Sequence, residues 1–98
     1  MKRPSSAARE AAEMLAIHAL SFIAAEPERL NGFLGATGLT LDGLRESANE
    51  PDFLAGVLEH MLTNESLLLA FADSAAIDPA DVKRARVALG GTWERDIP

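Results

Sequence analysis

Three acidic–proline pairs punctuate the chain, at Glu26-Pro27, Glu50-Pro51 and Asp78-Pro79. Proline fixes φ near the helical value and has no amide hydrogen. It is therefore accepted at the first position of a helix and rejected from helix interiors and central strands. Each pair reads as a helix start with the acidic residue just outside it. The segments between the pairs are helical in pattern. Val, Ile and Thr are few, Tyr is absent, and no stretch alternates apolar and polar residues for long. The expected fold is all-α: a compact single-domain bundle of about six helices.

The first helix is expected from about Ser6 to Ala25. Ala8, Ala12, Leu15, Ala19, Phe22 and Ile23 follow helical spacing, and Ala16 and Leu20 widen the stripe. So broad an apolar surface suits a central helix wrapped by the others. Thr40 and Asn64 are good N-caps for two further helices, over roughly 41–49 and 65–76. Gly38 and Gly90 sit where a left-handed residue would end helices. The second helix is the weakest, because Gly32 and Gly35 each lower its propensity by about 1 kcal/mol. Residues 1–5 read as a flexible N-terminus, 6–90 as the helical domain, and 91–98 as a tail anchored by Trp93. The core is expected to contain Leu15, Leu20, Ile23, Leu30, Phe33, Leu58, Leu68, Phe71 and Val82.

A shift of 38 residues lays 15–48 over 53–86 without a gap. Leu20 then meets Leu58, Ile23 meets Met61, Leu30 meets Leu68, and Phe33 meets Phe71. Leu39 meets Ile77, Leu44 meets Val82, and the capping Thr40 meets the capping Asp78. On this reading the bundle is two pseudo-repeats, each a longer helix followed by two short ones. Two such repeats must pack into one closed core, because an open array would leave its ends unprotected.

The formal charge of −6 is unevenly placed: +1 over residues 1–25, −8 over 26–78 and +1 over 79–98. That balance argues against broad nucleic-acid binding. With no cysteine there is no disulfide, thiolate zinc site or cysteine nucleophile. The apolar run at 11–25 is interrupted by Glu13 and His18, which argues against a secretory signal, and it is too short and polar for a membrane span. A cytoplasmic protein is the expectation.

Chemistry-bearing patterns are few. Ala72, Ala76, Ile77 and Val82, and likewise Leu34, Gly38, Leu39 and Leu44, have the spacing of a helix-turn-helix pair. In the second pair, over 72–86, the following helix carries Lys83, Arg84 and Arg86, which are candidate phosphate contacts. In the first pair Arg45 lies beside Asp42 and Glu46, which repel phosphate. His18 and His60 lack the two-ligand spacing of a helical zinc site. Ser66 and Ser74 have no base nearby in sequence, and Gly32, Gly35 and Gly38 are not a phosphate loop. No catalytic, metal or cofactor residue is assigned, and no cofactor or enzymatic activity is expected. The run Leu67-Leu68-Leu69-Ala70-Phe71 wraps more than a full helical turn, so one face cannot bury all of it. With Leu68 and Phe71 assigned to the core, Leu67 or Leu69 must point elsewhere. Met14 and Ile17 lie off the main stripe of the first helix.

Several stretches carry a family resemblance: Leu30-Asn31-Gly32-Phe33-Leu34, Thr37-Gly38-Leu39, Pro51-Asp52-Phe53-Leu54-Ala55-Gly56-Val57-Leu58, Leu67-Leu68-Leu69-Ala70-Phe71, and Ala85-Arg86-Val87-Ala88-Leu89-Gly90-Gly91. Over roughly residues 10–91 the chain resembles a small alphaproteobacterial family catalogued as Domain of Unknown Function 3572. The shared motifs are apolar packing motifs. The resemblance implies a bacterial cytosolic protein and supplies no activity, ligand or catalytic residue. The expected function is a non-enzymatic protein-interaction module or homodimer that uses Met14, Ile17, Leu67 and Leu69. The alternative is a DNA-associated regulator using the pair at 72–86. An unknown protein partner or a second copy is expected, with nucleic acid disfavoured and no membrane.

Overall fold

The computed structural model describes residues 6–48 and 50–90, and among them there are six α-helices and no strand. They are α1 (Ser6–Ala24), α2 (Pro27–Thr37), α3 (Leu41–Ser47), α4 (Pro51–Leu62), α5 (Glu65–Ala75) and α6 (Pro79–Ala88). The expected N-terminal segment at 1–5 and the expected tail at 91–98, with Trp93, lie outside the described residues.

The prolines act as the sequence implied, each opening a helix behind an extended acidic residue. Thr40 Oγ1 accepts from the Gly43 amide at 3.1 Å, and Asn64 Oδ1 accepts from the Leu67 amide at 3.2 Å. Asp78 caps α6 by accepting from the Ala80 amide at 2.9 Å, while Asp81 Oδ2 accepts from the Asp78 amide at 3.3 Å. Such caps satisfy first-turn amides that have no partner within the helix. Gly38 ends α2 in the left-handed region at φ 75°, with its amide donating to the Leu34 carbonyl at 2.8 Å. Ala76 ends α5 in the same region at φ 57°, and the Ile77 amide donates to the Ala72 carbonyl at 2.9 Å. A Cβ there costs free energy that glycine would avoid.

The core joins both halves of the chain. Ala12, Ala16, Ala19 and Ile23 of α1 meet Leu54, Val57, Leu58 and Met61 of α4, and Val82 and Ala85 of α6, with Leu89 just past its end, close over both. The small residues of α1 let its backbone approach α4 and α6. Of the nine expected core residues, Ile23, Phe33, Leu58, Phe71 and Val82 are buried, and Leu15, Leu20, Leu30 and Leu68 are half-buried against them. α1 shares the centre of the bundle with α4, which packs on α1, α5 and α6.

Helix boundaries coincide at the 38-residue shift. α2 maps onto α5 end for end, the last residues of α1 and α4 correspond, and so do the first residues of α3 and α6. The left-handed caps Gly38 and Ala76 are equivalent positions. Ring contacts between the halves follow the same exchange. Phe22 of α1 meets Phe71 of α5 with centroids 5.5 Å apart; their equivalents, His60 of α4 and Phe33 of α2, meet at 5.1 Å.

Candidate functional site

The four candidate interaction residues divide. Met14 is 60% exposed and Ile17 41%, one turn apart on the side of α1 opposite Ala12, Ala16, Ala19 and Ile23. Leu69 of α5 is 49% exposed, whereas Leu67 is only 8% exposed and belongs to the core. The expectation that Leu67 serves an exposed patch is therefore corrected. Residues four apart share a helical face, so Leu67 follows Phe71 inward, and the core-facing arc of α5 spans Leu67, Leu68 and Phe71 together. Leu69 falls outside that arc. α1 and α5 meet through Phe22 and Phe71, and the exposed apolar side chains lie on other faces of the two helices.

The three basic residues of α6 also part company. Lys83 and Arg84 are exposed, and Arg84 is ion-paired to Asp81 one turn back. Arg86 is not available to phosphate, which corrects its place among the candidate contacts. Its side chain is 12% exposed, and its Nε donates to Glu59 Oε2 of α4 at 3.0 Å. A terminal guanidinium nitrogen also donates to the Gly90 carbonyl just past the helix. Arg86 thus ties the end of α6 to α4, which leaves Lys83 and the Asp81-paired Arg84 on one turn in place of a three-residue basic face.

One polar concavity has no forerunner in the sequence reading. A groove of about 430 Å³ runs between the equivalent helices α2 and α5. Glu28, Arg29 and Gly32 line it from α2, Ser66, Leu67 and Ala70 from α5, and His60 and Asn64 complete it. At the 38-residue shift Glu28 matches Ser66, Arg29 matches Leu67 and Gly32 matches Ala70, so each wall is the other's counterpart. Arg29 is held in place by α1: its guanidinium carbon lies 3.9 Å from the centre of the Phe22 ring, and NH1 donates to the Phe22 carbonyl at 3.3 Å. His60 stands edge-on to the buried Phe33, with an interplanar angle of 83°. Loss of hydration pushes the imidazole below its ordinary pKa of 6.5, which favours the neutral ring with one donor and one acceptor nitrogen.

Sequence reasoning missed Arg29 as a site residue and set His60 aside, because neither belongs to a motif. The one signal present was the internal alignment, which sets His60 against Phe22 and Arg29 against Leu67, polar against apolar. Among the described residues no group of three or more His, Asp and Glu gathers to hold a metal ion, and no helix is long and apolar enough to cross a membrane.

An all-α domain whose two helix triplets share one register is thus the class that the fold defines. The family model described as Protein of unknown function (DUF3572) matches residues 9–92, and the chain belongs to that family. No curated protein and no solved structure matches it.

Proposed function

We propose that the protein is a cytoplasmic, non-enzymatic helical interaction module that pairs with a second copy or docks a partner helix through the outer face of α1. The observation that carries this reading is the exposure of Met14 and Ile17 on adjacent turns, outside a core that already closes on the opposite face of the same helix. Large apolar side chains scattered singly are ordinary on a surface, and two on one helical stripe support a contact there. Leu69 supplies a second, smaller contact from α5.

Sedimentation at micromolar concentration tests the reading. The parent is expected to sediment as a dimer, or to bind a partner in a crosslinking pull-down. Met14→Lys and Ile17→Lys should each abolish this, and Leu69→Lys should weaken it. A monodisperse monomer that captures nothing, with or without these substitutions, removes the proposal. The same material challenged with duplex DNA decides the competing regulator reading: a sequence-dependent complex that survives physiological salt and is lost in Arg84→Glu would favour it.

A further inference from the structure

We propose that the groove between α2 and α5 is a binding site for a small monocarboxylate with a short apolar body. Arg29 is the anchor. Among the described residues Arg45, Arg84 and Arg86 each pair with a carboxylate, whereas Arg9 and Arg29 make no ion pair, and of these two only Arg29 lines the groove. Its guanidinium is nevertheless fixed, stacked on Phe22 and held by the Phe22 carbonyl. A planar fork with five donors, only one of them used, is pre-organised to grip a carboxylate through two parallel hydrogen bonds. Ring nitrogens of His60, to which no described residue hydrogen-bonds, and the Ser66 hydroxyl supply further polar contacts along the groove.

The floor suits an apolar body. Gly32 and Ala70 put almost no side chain there, and a Cβ built on Gly32 would meet nothing within 4 Å. Leu67 adds an apolar wall. Glu28 lines the same groove and disfavours a second negative charge, so the ligand is a monoanion and not a phosphate.

Divergence between the triplets points to the same place. Where equivalent positions only pack, both residues stay apolar: Leu20 and Leu58, Ile23 and Met61, Phe33 and Phe71, Leu44 and Val82. Around the groove the pairs are Phe22 and His60, Arg29 and Leu67, Glu28 and Ser66. Joining two halves needs only matching apolar walls. A cation on one wall and leucine on the other match a molecule that is charged at one end and apolar at the other.

Sodium hexanoate is the probe, followed by histidine-resolved nuclear magnetic resonance on the full chain, with the exposed His18 of α1 as internal reference. Hexanoate should shift His60 saturably at millimolar concentration and leave His18 unmoved. Hexanamide, which has the same body and no charge, should leave both unmoved, and inorganic phosphate should bind at least about tenfold more weakly. Arg29→Gln should weaken hexanoate by about tenfold or more. Gly32→Leu fills the floor from an open helical position and should abolish binding while keeping or raising helix content, so it decides the matter if Arg29→Gln misfolds. A His60 signal that hexanoate does not move overturns the proposal. So does an equal response to hexanamide or phosphate, or unchanged binding in Gly32→Leu. None of these outcomes depends on the outer face of α1, so this site and the interaction reading stand or fall separately.

Discussion

α3 and α6 begin at equivalent points of the two triplets, Leu41 and Pro79, but only α6 is built into the centre of the bundle. α6 packs along α1 and α4 and buries Val82 and Ala85, and its C-cap Leu89 is buried with them. α3 buries Leu44 alone and, among the described residues, has no extensive packing against another helix. The difference lies in how much chain follows. At the 38-residue shift Leu89 corresponds to Pro51, which already opens α4. α3 therefore stops after seven residues, at Ser47, where α6 has the buried Ala85, and it adds no further core contact after Leu44. Two segments with the same N-cap logic acquire unequal stability because the next helix starts too soon after one of them.

The sharpest test of the equivalence is at its centre. Phe33→Ala and Phe71→Ala should each cost about 3–5 kcal/mol, a large part of the ~5–15 kcal/mol expected of a domain this size. Urea unfolding that gave one a large cost and the other almost none would break the correspondence. Next comes the α3–α6 contrast itself. Val82→Ala should cost about 2 kcal/mol and Leu44→Ala about 1 kcal/mol, although the leucine loses more atoms, because the sparsely packed α3 can collapse around the gap. Hydrogen exchange should agree, with α3 amides exchanging well before those of α6. A reversed order would mean that α3 is held by more than Leu44.

The two left-handed caps offer a reciprocal exchange. Ala76→Gly should stabilise by about 0.5–1 kcal/mol and raise the melting temperature, while Gly38→Ala should destabilise by about 1 kcal/mol. Equal and opposite shifts would show the two turns to be energetically alike. The smallest effect is at the Phe22–His60 pair. Because burial lowers the folded pKa of His60 below 6.5, the unfolded chain binds the proton more readily. This contribution to stability is complete above pH 6.5 and is lost as pH falls through the folded value. His60→Phe, which installs the other triplet's residue, should flatten that part of the pH–stability curve; an unchanged slope would assign it to other groups.

Most of the fold was legible because its signals are local. A proline at a first helical position, a Thr or Asn cap and a left-handed glycine each act within a few residues, and all were placed correctly. The site was less legible for a physical reason. Whether Leu67 or Leu69 turns inward depends on where α5 lies against the rest of the bundle, and five consecutive apolar residues carry no phase. Arg86 read as an exposed cation because its partner, Glu59, lies 27 residues earlier on another helix. Arg29 and His60 stand on helices that only the finished fold brings to one groove, and separately each looks like an ordinary surface residue.

The packing of α1 against α6 sets the order in which the molecule can be made. Sixty-four residues separate Ala24 from Ala88. At roughly 5–20 residues per second, the ribosome delivers the partner of α1 about 3–13 s after α1 itself. Throughout that interval the alanine-lined stripe of α1 lacks one of the two helices that cover it, since α4 is made earlier. A sticky leucine-rich stripe in that position would invite aggregation on the nascent chain, whereas Ala12, Ala16 and Ala19 offer little apolar surface until α6 arrives. The small side chains that permit close packing in the finished bundle also keep the unfinished one out of trouble.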